Sequence, residues 1–315
     1  MGRVTDPAPA RLRDGGAVSV VVVTGAEGFV GRHLVARLRA DGEEVVALDR
    51  ETDVTDRDAV GARLRGAAPD VVYHLAALSH VGESWRNPRG YARVNVTGTR
   101  HVLAAARESG GDPLVVVVSS ADVYGVVDER DLPLVESHPP APANPYAVSK
   151  LEAEQVAREA ARRGQRVVIV RPFNHVGPGQ APSFVVPALA RRLLAARETG
   201  REEVAVGDLS ARRDFTDVRD VVRAYQLLAR YAISGETYHV ASGRDVSIAD
   251  VAQELVRRIL PGARLVRDEA LVRPVELPVL RGDAMKLRDL TGWEPTIGLS
   301  TSLDDVVASL REVAP

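Results

Sequence analysis

The chain has 315 residues, 45% hydrophobic and 27% charged, with a formal net charge of -2; these are globular values that suit one large α/β unit or two packed domains. That charge balance gives no electrostatic pull toward nucleic acid or an anionic membrane, so the expected partner is a small molecule. Cysteine is absent, which excludes disulfides and thiolate chemistry, and the seven histidines are scattered without a ligand spacing, so no metal is expected.

Residues 1–17, MGRVTDPAPARLRDGGA, contain Pro, Gly and Arg but no apolar core, and no later run reaches about 18 uninterrupted apolar residues. A disordered leader on a soluble, cytoplasmic protein is expected. From Val18 onward, Val-rich runs alternate with helical segments: VSVVVVTG, EEVVALD, DVVYHLAA, PLVVVVSS and QRVVIVRP. Continuous apolar runs fit strands buried on both faces, and their spacing suits helical crossovers, so the predicted fold is α/β with a doubly wound parallel sheet over residues 18–171. NPYAVSK at Asn144 to Lys150 opens a helix, because Asn144 suits the N-cap and Pro145 the first turn.

After Arg171 comes the Pro- and Gly-rich loop RPFNHVGPGQAPSF, then an Arg-rich helix near Val186 to Glu198. DFTDVRDVVRAYQLLARY reads as an amphipathic helix and ETYHVAS as a strand that rejoins the sheet. Helices near Ile248 to Ile259 and Ser302 to Val313 belong to a smaller lobe. Ligands of such sheets bind outside the carboxyl ends of the strands, so TGAEG, LAALSH, SSADVYG and RPFNH should converge on one cleft.

The first strand runs into TGAEGFVGRHL, with Gly25, Gly28 and Gly31 at the strand-to-helix turn. Glycine there permits a tight turn, close approach of a pyrophosphate and close helix packing, while the helix N-terminus attracts the anion. Asp49 ends the second strand and is placed to accept from an adenosine ribose. A carboxylate there repels a 2′-phosphate, so NAD(H) is favoured; Arg50 beside it keeps NADP(H) open. Asp53 is placed either to meet the adenine or to form a turn.

Tyr146 and Lys150 lie four apart on one helical face, either as a solvated pair or as a proton donor with its tuner. Only two of the 41 basic residues are lysines, Lys150 and Lys286, and seven tyrosines would meet a lysine at that spacing by chance 7 × 2/315, roughly 0.04 times. An ammonium beside the phenol should pull the tyrosine below its ordinary pKa near ~10. Ser120 would complete a Ser-Tyr-Lys group that polarises a carbonyl while hydride moves to or from its carbon.

GxxGxxG, HLAA from His74 to Ala77, Asn95 in NVTGT, SSADVYG and Tyr146-x-x-x-Lys150 resemble the extended short-chain dehydrogenases/reductases, the NAD-dependent epimerase/dehydratase family, over nearly all of Val18 to Arg311. The resemblance implies a Rossmann-type domain at 18–171 plus about 214–242, and a nucleotide-sugar lobe at about 172–213 plus 243–315. It implies a homodimer, with a tetramer as the alternative. Phe29, Val30, Val54, Leu75, Ala76, Ala77, Asn95, Ser119, Pro172 and Asn174 would join the glycines, Asp49, Arg50, Asp53, Tyr146 and Lys150 around the cofactor.

RPFNHVGPGQ, RRDFTDVRDVVRAY, VRPVELPVLRGD and TGWEPTI are similar to members acting on GDP-linked sugars. That similarity implies that Ser79, His80, Asn174 and Val185 line the sugar site, that Arg213 and Arg273 neutralise phosphate, and that Glu276 accepts from the nucleoside ribose. The implied activity is reduction of the C4 ketone of a nucleotide-diphosphate 4-keto-6-deoxy sugar. A 4,6-dehydratase or a 4-epimerase with retained cofactor is the alternative. The dehydratases place Thr at Ser120, Glu at Asp122 and two arginines in the loop that reads GPGQ here, so the reductase is favoured; Asp122 is either an acid/base group or a turn carboxylate.

Overall fold

The computed structural model describes residues 19–272 and 277–312. The expected leader at 1–17 and the candidates Arg273 and Glu276 lie outside the described residues. Strands β1 (Val20–Thr24), β2 (Glu44–Leu48), β3 (Val71–His74), β4 (Leu114–Val118) and β5 (Val167–Pro172) fall on the five Val-rich runs. They are followed by β6 (Asn174–Val176), β7 (Glu203–Val206), β8 (Arg212–Asp217), β9 (Thr237–Val240), β10 (Asp245–Ser247), β11 (Arg264–Arg267) and β12 (Val279–Leu280). The helices are α1 (Phe29–Ala40), α2 (Arg57–Ala67), α3 (Val81–Ser84), α4 (Pro88–Tyr91), α5 (Gly98–Glu108), α6 (Pro145–Arg162), α7 (Val185–Thr199), α8 (Val218–Tyr231), α9 (Ile248–Ile259), α10 (Met285–Thr291) and α11 (Leu299–Glu312). Among the described residues no helix is long and apolar enough to cross a membrane.

The central sheet has the order β2-β1-β3-β4-β5-β9, with every pairing parallel. Side chains alternate between its faces. Val21, Val23, Val116 and Val168 pack under α1, α8 and α10 with Leu34, Leu38, Leu228, Leu287 and Trp293. Val22, Val72, Val115 and Ile169 face α2, α5 and α6 with Val60, Leu64, Val102 and Ala157. Valine suits both positions because each strand is covered on two sides. From β1 the chain moves outward to β2 and then returns to β3 on the other side of β1, and this reversal opens a crevice above their carboxyl ends.

A second core gathers Leu189 and Leu193 of α7, Val204 of β7, Phe215 of β8, Leu255 of α9 and Val306 of α11. Its strands are short: β10-β8-β12 with β6 beside β8, and a β7–β11 pair. Asp214 to Asp217, read from sequence as the start of a helix, is instead the end of β8. The helix begins at Val218 because the Asp217 side chain caps it, accepting from Arg219 N.

Helix α6 starts as its sequence requires: Asn144 is extended at φ -147°, ψ 160°, its side chain accepts from Ala147 N at 2.8 Å, and Pro145 takes the first turn. Asn144→Ala is expected to destabilise the fold by about 1 kcal/mol, read as a lower denaturant midpoint at unchanged slope. A midpoint equal to wild type would show that the cap contributes nothing.

Candidate active site

The crevice is a cleft of about 2130 Å³ that runs from the glycine turn to the second lobe. Gly25 adopts φ +70°, and a Cβ there would meet Ala76 N at 2.8 Å; a Cβ at Gly31 would sit 2.1 Å from Gly25 O. The turn is therefore closed to any other residue type. Gly28 is the N-cap of α1 and supplies no side-chain cap, so the first amides of the helix face the cleft without an internal acceptor. This cradle, which a Cβ would fill, fits the pyrophosphate of a dinucleotide. At its side Asp49 accepts from Glu27 N at 2.7 Å and Arg50 N at 2.9 Å, so its carboxylate is fixed against the turn. Asp53 is exposed at the rim and closes a turn by accepting from Thr55 N.

Of the described residues named from sequence, all but one line this cleft. The exception is Asn95, which is 1% exposed. A π-helical turn, Ala92–Thr97, turns it inward, where it accepts from Leu78 N and donates to Leu78 O and Ser149 Oγ. Its side chain braces the Leu75 to His80 segment against α6, away from the cleft that the other candidates line.

The candidate Ser-Tyr-Lys group assembles where β4 ends against α6. Ser120 caps a short 3-10 turn, Ala121–Tyr124, and its side chain is hydrogen-bonded to Tyr146. Lys150 is 8% exposed and donates from Nζ to Val118 O at 2.9 Å. Burial pushes Lys150 down to about 8, against an opposing pull from the Glu154 charge. Tyr146 departs from expectation. Burial, then the nearby Asp122 charge, raises the phenol above its ordinary value, and the Ser120 hydrogen bond opposes them only in part. The expected depression by Lys150 is not found: burial and Asp122 govern the phenol, and Lys150 is not among the groups that move it.

On the far side, Ser79 is exposed, and the His80 ring caps α3 by accepting from Glu83 N and lies edge-on to Phe184 at 6.4 Å. Asn174 opens β6, Pro172 closes β5, and Val185 opens α7, whose N-cap Phe184 provides no side-chain bond. A second helix N-terminus thus faces the cleft across from α1. Arg213, 8% exposed, donates to Arg212 O and Leu277 O and lines the wall. The GPGQ loop is tied to α1: Arg32 donates to Gly179 O, His33 Nε2 is 3.0 Å from Pro178 O, and Phe29 stacks on His175 at 5.9 Å.

Sequence reasoning missed several supports. His74 is held between Thr24 Oγ1 at 2.8 Å and Thr99 Oγ1 at 3.0 Å and is pushed down to about 3 by burial, so a neutral imidazole links β1, β3 and α5. Tyr91 stands edge-on to Tyr146 at 6.3 Å. Neither pairing has a fixed spacing in sequence that would disclose it.

Residues 21–241 match the profile of the NAD dependent epimerase/dehydratase family. The chain is 37% identical over 290 residues to a GDP-6-deoxy-D-mannose reductase of Pseudomonas aeruginosa, covering 91% of this chain and 95% of the relative. It is 32% identical over 319 residues to a UDP-glucose 4-epimerase of Mycolicibacterium smegmatis, covering 92% and 98%. Among solved structures, RMD from Pseudomonas aeruginosa complexed with NADPH superposes with a TM-score of 0.87 at 36% identity, over 94% of this chain and 100% of that one.

Gly25→Ala is expected to weaken dinucleotide binding at least about tenfold, because the turn must shift away from Ala76. Fluorescence titration with reduced cofactor measures it, and wild-type affinity in the variant would contradict the cradle.

Proposed function

Because the chain belongs to the NAD-dependent epimerase/dehydratase family and is an NAD(P)-dependent enzyme of nucleotide sugars, we propose that it reduces the C4 ketone of a nucleotide-diphosphate 4-keto-6-deoxy sugar, with GDP as the nucleotide. The observation that carries the reading is the convergence of Ser120, Tyr146 and Lys150 on the cleft that the glycine turn opens. A phenol raised above its ordinary pKa by burial and by Asp122 keeps its proton at neutral pH, as a donor to a ketone must. The similarity to a GDP-6-deoxy-D-mannose reductase points the same way.

In this reading Ser120 donates to the carbonyl oxygen and holds it beside the Tyr146 hydroxyl, to which it is already bonded. When bound, the reduced nicotinamide supplies hydride to the carbonyl carbon. Tyr146 gives its phenolic proton to the oxygen as negative charge grows there. Lys150, anchored on Val118 O, presents an ammonium on the same helical face, stabilising the phenolate left behind and offering donors to the nicotinamide ribose. Arg213 and the N-terminus of α7 neutralise the sugar diphosphate, and the α1 turn takes that of the cofactor. Arg273 and Glu276, outside the described residues, are proposed for phosphate and ribose as the family resemblance implies. Asp49, fixed by Glu27 N and Arg50 N, would repel a 2′-phosphate and so favours NADH, while Arg50 beside it keeps NADPH open.

Incubation with GDP-4-keto-6-deoxy-mannose and reduced cofactor should consume both in equal amounts. Turnover of GDP-mannose without net cofactor oxidation would replace this reading with a dehydratase. Tyr146→Phe should lower kcat by about 10²-fold or more while cofactor affinity stays within about twofold. NADH should exceed NADPH in kcat/KM by at least about tenfold, and the reverse preference would show that Asp49 does not govern the ribose site.

A further inference from the structure

Glu154 lies one turn beyond Lys150 on α6 and is 0% exposed. Its carboxylate is claimed from three elements. Oε1 accepts from Ser119 Oγ at 2.6 Å and from Arg171 Nε at 2.8 Å; Oε2 accepts from Arg171 Nη2 at 2.7 Å and from Arg158 Nη2 at 3.1 Å. Arg171 of β5 is 2% exposed, and its Nη1 donates to the Tyr124 hydroxyl, which meets His239 Nε2. Neither Glu154 nor Arg171 lines the cleft.

Successive turns of α6 grip consecutive residues where β4 ends. Tyr146 is bonded to the side chain of Ser120, Lys150 to Val118 O, and Glu154 to Ser119 Oγ. A clamp that served only to join α6 to β5 would need Arg171 and Glu154 alone. The added bond to Ser119 fixes the residue next to the hydroxyl that faces the substrate. The titratable groups around Lys150 come from several elements: Tyr146 and Glu154 on its own helix, neutral His74 on β3, Asp122 after β4, and Arg171 on β5 paired with Glu154. Among these, Glu154 is the one that supports the ammonium against the effect of burial.

We propose that Glu154 is a positioning residue for the reaction, holding a negative charge beneath the Lys150 ammonium and fixing the strand end that presents Ser120. The proposal rests on the roles given above to Ser120, Tyr146 and Lys150.

The chain has only two lysines, so protein labelled with ¹³C at lysine Cε gives two resonances, which Lys286→Arg assigns. In the wild type, Lys150 should titrate with a midpoint near 8. In Glu154→Gln the midpoint should fall by about one pH unit or more, and the alkaline limb of kcat should move with it. Glu154→Asp, which restores the charge, should hold the midpoint within about 0.3 pH units of wild type. Ser119→Ala should lower kcat at least about fivefold with KM and the Lys150 midpoint unchanged. A folded Glu154→Gln whose Lys150 midpoint stays at the wild-type value overturns the proposal. If Glu154→Gln does not fold by circular dichroism, wild-type kcat in Ser119→Ala overturns it instead. The titration needs no substrate, so a wild type that fails to reduce the keto-sugar would refute the assigned reaction and leave this result readable.

Discussion

Everything at the site depends on charge carried below the surface on one helix. α6 buries Tyr146, Ser149, Lys150 and Glu154 where an ordinary amphipathic helix would bury an apolar stripe. Burying an ammonium and a carboxylate is unfavourable by several kcal/mol for each ion unless hydrogen bonds replace the lost water. Val118 O, Ser119 Oγ and the Arg171 guanidinium supply those bonds, all from the ends of β4 and β5. The register between helix and sheet is thereby set by electrostatics as well as by packing, and the reactive hydroxyls inherit it.

The proton inventory of the proposed reaction is shaped by the same burial. A buried phenol beside a carboxylate holds its proton, and a buried lysine gives its proton up more easily than one in water. The two groups, ordinarily close in pKa, are thus driven apart, the tyrosine upward and the lysine downward. In the proposed reduction a proton leaves the tyrosine as the substrate oxygen becomes basic, and the lysine stabilises the resulting charge.

Much of this was legible in the sequence for identifiable reasons. The Val-rich runs announced strands covered on both faces, the glycine triplet announced a turn with no space for Cβ, and the scarcity of lysine isolated Lys150. What stayed hidden depends on tertiary surroundings. Tyr146 was expected to fall in pKa because spacing reveals the lysine and conceals the desolvation. Glu154, four residues after Lys150, reads as one more surface ion pair until Arg171 arrives from β5. For Asn95 the motif does not show that a π-helical turn aims its side chain at Leu78 and Ser149. Asp214 to Asp217 continued an amphipathic pattern, and only the Asp217 cap marks where strand gives way to helix.

The loop from Gly177 to Gln180 hangs from α1 through the carbonyls of Pro178 and Gly179. For protein engineering this makes the two halves of the cleft inseparable parts. Grafting that loop from a relative to alter sugar preference also rewrites the partners of Arg32 and His33, on the helix whose first turn is proposed to receive the dinucleotide. A transplanted loop would have to bring a matched first turn of α1 with it, so the exchangeable module is discontinuous in sequence and spans both lobes.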